Sequence, residues 1–438
     1  MRRLNTYGML LCVALLSCQK GEPTAAEEEE ELDYTMRQSR SGKRGIGFNT
    51  VYASDFAAMQ GGVSWAYNWG AGGFNSTLTG AAAEAKIAYF PMVWNGNGNW
   101  ATQIRTYKQA HPECEYILAF NEPNLTDQAN MTPERAAEGW PPIKELAQEL
   151  NMKIVAPAMN YGTLAGYSDP IKWLDEFFVQ PGVSINDVAA LSLHCYMSTP
   201  SAVKSFVERF RKYNKPIWMT EFCSWEGSSI TAEKQIAYMS DVVGYFEADP
   251  IIERYAWFKY DGSATKHPQY ALRPTGNNKG ELTDLGKVYV YMSSLDKALH
   301  YEANDVIPAE HYCNTSMSEA VGSEKWLAAV QLNVSSDEAG ILEISKMGMP
   351  KWVEYNVKVA DDGSYSLALR YATNADAKCK ILCDGKELSE VELPATGGYS
   401  SWQTITTPPL SFSSGQHTVR FVPSKGMVSL NWWKFKKN

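Results

Sequence analysis

The chain has 438 residues, 45% of them hydrophobic and 20% charged, an ordinary globular balance with room for two domains that excludes a disordered or fibrous protein. Its formal net charge of −9 argues against a nucleic-acid partner, which needs a cationic face to release counterions. A neutral ligand fits better, because aromatics reach 12%, with 14 Trp and 24 Tyr, and sugar rings pack their C–H groups on such faces, although most of these rings are core.

The N-terminal residues read as an address: Arg2 and Arg3, an apolar run from Met9 to Leu16, then Ser17 and Cys18. LLSC at Leu15 to Cys18 resembles a bacterial lipobox, in which cleavage before the Cys leaves it to carry lipid. An ordinary cleaved signal or a buried apolar segment is the alternative. The expectation is a lipoprotein signal peptide over 1–17 and an acidic tether over 18–43 that begins at lipidated Cys18. The block EEEEELD from Glu27 to Asp33 makes that tether solvated and self-repelling. The apolar run is too short to span a bilayer, so membrane contact runs through the lipid anchor only. The expected place is the bacterial cell envelope, on the outer membrane, at the surface or facing the periplasm.

From Arg44 onward eight short apolar runs alternate with longer stretches of helical character. They are GIGFN at Gly45, VSWAYNW at Val63, IAYFPMVW at Ile87, YILAFNEP at Tyr116, KIVAPAM at Lys153, DVAALSLHCY at Asp187, PIWMTEFC at Pro216 and RYAWF at Arg254. Runs that stay apolar instead of alternating mark strands buried on both faces, as in parallel sheets. Between them, Thr132-Pro133 opens one helix, and another starts near Thr231 and stops at Asp249-Pro250. Eight such units over residues 44–298 predict an α/β fold, a (β/α)8 TIM barrel.

Past Leu299 the texture changes to alternating strands, among them WVEYNVKV at Trp352 and LALRYA at Leu367, with turn signals at Asp384-Gly385 and Gly397-Gly398. Residues 299–438 are expected to form an all-β antiparallel sandwich, jelly-roll-like. Beyond Cys12 and Cys18, six cysteines remain: Cys114, Cys195, Cys223, Cys313, Cys379 and Cys383. None falls in a zinc spacing. Cys379 and Cys383 would lie roughly 13 Å apart in an extended strand, too far to bridge. All six read as packing residues or disulfide partners of unassigned pairing.

In a barrel of this kind function collects at the C-terminal strand ends. Glu122 ends the fourth run in FNEPN, and Glu221 ends the seventh in WMTEFCSW. Either alone could be a salt-bridge partner. Together they match the pair that glycosidic hydrolysis needs: an acid for the leaving oxygen and a carboxylate to attack or to activate water. Two close carboxylates resist joint ionisation, so one is kept protonated. His194 and Tyr196 lie two apart on the sixth run and share a face. No second His or Asp stands at ligand spacing, so no metal is expected there. Trp69, Trp94, Trp225 and Trp257 fall at or just past strand ends, where a sugar platform would be.

The ordered set VSWAYNWG, FPMVWN, LAFNEPN, LHCYM, WMTEFCSW and RYAWF resembles glycoside hydrolase family 128, the Asl1-like β-1,3-glucanases. That resemblance implies a retaining endo-acting enzyme with Glu122 as acid/base and Glu221 as nucleophile. It also implies Asn121 on the sugar 2-hydroxyl, His194 and Tyr196 orienting the nucleophile and contacting sugar, and no required cofactor. The implied partner is a β-glucan polysaccharide or oligosaccharide met by a monomer. The C-terminal region resembles a family 6 carbohydrate-binding module, in YEAND, WVEYNVKV, LPATGGYSSWQT and LNWWKF. This implies a sugar cleft at Tyr399, Trp402 and Asn431, with room for a structural calcium near Glu302 and Asn304. EISKMGMPK, Glu343 to Lys351, offers no second aromatic wall. Competing readings are a hydrolase for another β-glucan or mannan, and a non-catalytic glycan-binding lipoprotein.

Overall fold

The computed structural model describes residues 41–225, 230–262, 268–276, 278–320, 322, 324–337 and 340–438. The signal, Cys18 and the tether up to residue 40 lie outside them. Eight strands share one parallel sheet: β1 (Arg44–Gly47), β2 (Trp65–Tyr67), β3 (Ala88–Tyr89), β4 (Tyr116–Leu118), β5 (Lys153–Met159), β6 (Val188–Cys195), β7 (Ile217–Phe222) and β8 (Ile252–Phe258). Each lies within one of the apolar runs or overlaps it. The spatial order is β3-β2-β1-β8-β7-β6-β5-β4. The two ends of that order meet at a parallel bridge between Met92 and Leu118, where Val93 N donates to Leu118 O and Leu118 N to Pro91 O, each at 2.9 Å. The sheet is therefore curled, consistent with a (β/α)8 barrel.

Its interior is filled by rings from β2, β4 and β7 and from the residue after β3: Trp65, Tyr116, Trp218 and Phe90, with neighbouring centroids 4.7 to 5.6 Å apart. Gly45 makes room for this layer, because a Cβ there would stand 2.3 Å from the Trp65 ring. Much of the aromatic content is therefore core. Thr132 caps the helix Pro133–Glu138, accepting from Arg135 N at 3.3 Å. Thr231 caps Ala232–Ala248, accepting from Lys234 N at 3.2 Å. Such caps stabilise a helix by about 1 kcal/mol.

The C-terminal region forms two sheets, antiparallel except where Tyr301–Glu302 runs parallel to Val353–Val359. One is built on Val353–Val359, Gly415–Lys425 and Ala377–Cys383, the other on Leu342–Gly348, Met427–Lys437 and Gly363–Thr373. Tyr355 and Phe421 from the first meet Trp433 from the second, with centroids at 5.3 and 5.0 Å, so the sheets face each other across a packed core. All six described cysteines are free thiols, five of them buried, which leaves the packing alternative.

Barrel and sandwich are joined along the helix Ala232–Ala248. Leu332 N donates to Ser240 Oγ at 3.3 Å, and Gln331 Nε2 donates to Asp241 Oδ1. The Tyr245 and Trp326 rings meet edge-on at 5.9 Å. Burial pushes the Asp241 carboxyl up to about 7, against the Gln331 bond and the Lys351 charge.

Candidate active site

Past β4 the chain is anchored on both flanks: Ala119 N donates to Val155 O at 3.1 Å and Asn121 N to Trp94 O at 2.9 Å. Glu122 follows with φ +45°, a left-handed backbone that costs a non-glycine residue on the order of 1 kcal/mol and turns its side chain into the barrel mouth. Glu221 reaches the same place from the end of β7. Glu122 is 6% exposed and Glu221 4%, so both carboxyls depend on partners.

His194, fully buried on β6, lies between them. Its Nδ1 is 2.8 Å from Glu122 Oε1 and its Nε2 3.4 Å from Glu221 Oε1. One carboxylate oxygen of each Glu and a His194 nitrogen all lie within 4.8 Å of one another. Glu221 collects further donors: Trp69 Nε1 to Oε1 at 2.7 Å, Tyr67 OH to Oε1 at 3.3 Å, and Tyr196 OH to Oε2. Glu122 has one besides His194, Asn160 Nδ2 at 3.1 Å. Asn121 donates to Gln128 Oε1 at 3.1 Å, while its own Oδ1 is buried without a partner. Two carboxylates and an imidazole could also hold a divalent ion, but the nearest ligand atoms of Glu122 and His194 are already bonded to each other.

The three titrating groups pull on one another. Burial pushes the Glu221 carboxyl up, and the Glu122 charge adds to that; the His194 charge and the bonds from Tyr196 and Trp69 oppose it. Glu122 is also penalised by burial, yet the His194 charge and the bonds from His194 and Asn160 hold it below its usual value. His194 is lowered by burial but raised more by its two carboxylate neighbours, and ends above its usual value.

A cleft of about 620 Å³ opens above these groups, within the range of small-ligand sites. It is lined by Glu122, Glu221, Asn121, Tyr196, Trp69, Trp94 and Trp225, as well as Asn49, Asn68, Asn160, Phe258 and Lys259. Two residues expected at the sugar are elsewhere. His194 is buried between the carboxylates and does not line the cleft, so it positions them and does not face a ligand. Trp257 is fully buried, donates to Tyr270 O at 2.7 Å and packs on Phe222 and Tyr289. Neighbouring side chains on a strand point to opposite sides, so Trp257 faces the helices and Phe258 takes the cleft. Asn160 and Tyr67 had weak signals that sequence reasoning missed: Asn160 directly follows the fifth run, and Tyr67 precedes Trp69 by two on the second.

In the sandwich, Asn431 is fully buried and donates to Asp337 Oδ2 at 2.9 Å. Arg370 grips the same carboxylate from Nε at 2.7 Å and Nη2 at 2.8 Å. Trp402 Nε1 donates to Ser336 Oγ at 3.0 Å, and Lys346 lies over the Tyr399 ring at 5.3 Å. The residues expected to form the cleft are thus engaged by the protein's own Ser336, Asp337 and Lys346. Near the expected calcium position, Glu302 pairs with Lys358 at 3.2 Å.

The family model described as "Glycosyl hydrolase catalytic core" matches residues 45–289, more than half of the chain. That of carbohydrate-binding module family 35 matches 328–435. The family 6 resemblance of the sandwich is not confirmed; its match is to family 35. The chain is 35% identical to a GH128 (subgroup II) endo-beta-1,3-glucanase from Pseudomonas viridiflava, over 57% of this chain and 98% of that one, with a TM-score of 0.52. For a second subgroup II endo-beta-1,3-glucanase, from Sorangium cellulosum, the values are 29%, 57%, 97% and 0.49. Alkali-sensitive linkage protein 1 of Schizosaccharomyces pombe is 24% identical over 272 residues, 58% of this chain; the chain spans only 45% of that relative's length. The chain belongs to the glycosyl hydrolase catalytic-core family, within glycoside hydrolase family 128, and carries a family 35-type carbohydrate-binding domain behind its catalytic region.

Proposed function

We propose that this glycoside hydrolase cleaves β-1,3-glucan internally and with retention, Glu221 acting as nucleophile and Glu122 as acid/base. The observation that carries the reading is the carboxylate spacing. An oxygen of each Glu lies within 4.8 Å of one of the other, a close approach that supports the roughly 5 Å carboxyl separation of retaining enzymes over the 6.5–9.5 Å of inverting ones. The substrate class rests on the kinship with β-1,3-glucanases.

In the first step a Glu221 oxygen attacks the anomeric carbon while Glu122 gives its proton to the leaving oxygen. In the second, Glu122 takes a proton from the water that releases the sugar from Glu221. Oε2 of Glu221 has Tyr196 as its donor, against two on Oε1, so it retains a lone pair for attack. The free Oδ1 of Asn121 suits a sugar hydroxyl. Burial holds the Glu221 carboxyl above its usual value and the His194 charge holds Glu122 below it, whereas turnover needs a proton on Glu122. The bonds point the way: the donors of Tyr196, Trp69 and Tyr67 stabilise Glu221 as an anion, and a sugar that shuts water from Glu122 raises it. His194 stands between the two for the proton to cross.

No redox or nucleotide cofactor enters this chemistry. LLSC supports a lipid-anchored place in the cell envelope. Incubation with laminarin and with β-1,4-glucans, followed by product analysis, tests the reading. Release of β-1,3-linked oligosaccharides from laminarin alone is expected. Release of sugar from none of them would sink it.

A further inference from the structure

We propose that Tyr161 is a fixed aromatic platform for the leaving-group side of the glucan, an inference that rests on Glu122 being the acid. Among the described residues, Tyr161 at 46% and Trp225 at 39% are the exposed large aromatics. Trp225 lines the cleft on the β7 side. Tyr161 follows the end of β5 directly after Asn160, whose Nδ2 holds Glu122 and whose Oδ1 accepts from Tyr161 N at 2.8 Å. The ring thus begins one residue beyond the acid's own partner. Because an acid must sit beside the oxygen it protonates, the departing sugar leaves on this side.

The ring is exposed but held. Arg209 Nη1 donates to its hydroxyl at 3.1 Å and the guanidinium lies 5.7 Å from its centroid. Asp169 clamps that arginine at 2.7 and 2.8 Å, and Phe206 supports the ring at 5.3 Å. The loop beneath is tied to the FNEPN turn: Asn124 O accepts from Thr163 N and Leu164 N at 3.0 and 2.9 Å, and Asn124 Nδ2 donates to Asn160 O at 2.7 Å. Gly162 passes so close that a Cβ would stand 2.4 Å from Asn124 O. Tyr161 therefore keeps register with Glu122. A ring ordered in advance loses little freedom on contact, which is what a stacking surface for sugar requires.

The test compares laminarin with β-laminaribiosyl fluoride, whose leaving group is one atom and cannot reach the platform. Tyr161→Ala is expected to lose roughly tenfold in kcat/KM on laminarin, mostly through KM, a stacking contact's worth, with the fluoride unchanged. Tyr161→Phe should stay within about twofold of wild type on both substrates, since the ring remains. Equal losses on both substrates, or no loss on laminarin, would overturn the platform while leaving the hydrolase intact. A wild type that cleaves neither substrate would instead overturn the hydrolase reading, and the platform with it.

Discussion

The barrel mouth and the edge of the sandwich contain the same kinds of side chain, an asparagine, acidic groups and aromatics, and use them in opposite ways. At the mouth, Asn121 keeps a buried acceptor without a partner and Trp225 stays exposed. At the sandwich edge, the Asn431 amide and the Arg370 guanidinium both close on Asp337, and a Cβ on Gly340 would stand 2.4 Å from Asn431 Oδ1. Buried polar groups are nearly always satisfied. At the edge the Asn431 donor and the Arg370 fork are directed onto one carboxylate of the chain itself, whereas the mouth leaves an aromatic face and the Asn121 acceptor for a ligand.

The comparison breaks first at the carboxylates. Glu221→Gln is expected to lower kcat by about 10⁴-fold or more while oligosaccharide binding persists, and Glu122→Gln by about 10²–10⁴-fold. Steady-state rates with a binding measurement on each variant check this. An active Glu221→Gln enzyme would mean that the nucleophile lies elsewhere.

His194→Asn comes next, at about 10–100-fold in kcat/KM. Its signature is the pH profile. The His194 charge lowers both Glu122 and Glu221, so removing it lets both carboxyls rise and moves both limbs of the bell to higher pH. A loss of rate with unmoved limbs would leave His194 a mere packing residue.

The strands, the capped helices and the two Glu residues were legible in the sequence because each rests on local chemistry: apolar runs, Thr at helix starts, a charged residue closing a buried strand. What lay hidden depended on direction and distance. Trp257 and Phe258 are equivalent as letters, and only the pleat sends one to the core and the other to the cleft. His194 reads as a sugar contact until its burial is seen. Asn431 matched a binding motif, but Asp337, 94 positions away in sequence, occupies its amide.

The seam between the two regions offers a smaller effect, read as stability. Asp241 has a folded pKa of about 7 against a usual 3.8, so between about pH 4 and 7 the folded state holds more protons than the unfolded one, and stability falls as pH rises through that window. Asp241→Asn removes the charge and keeps an acceptor for Gln331. Thermal unfolding at pH 8 should show the variant stabilised by on the order of 2 kcal/mol, less than the full shift would give because water still reaches part of the carboxyl. At pH 4 the difference should vanish. A variant destabilised at both pH values would show the contact to matter for shape and not for charge.

The smallest effect tests the sandwich edge itself. Asn431→Ala removes one donor from Asp337, whose carboxylate keeps both bonds from Arg370, so the expected loss of stability is about 1 kcal/mol. Retention of the full chain on insoluble β-1,3-glucan should not change, because the amide is turned inward to Asp337 and fully buried. Weakened retention with an unchanged melting curve would reverse the comparison: Asp337 would then be a gate that yields to sugar, and the edge a second open site.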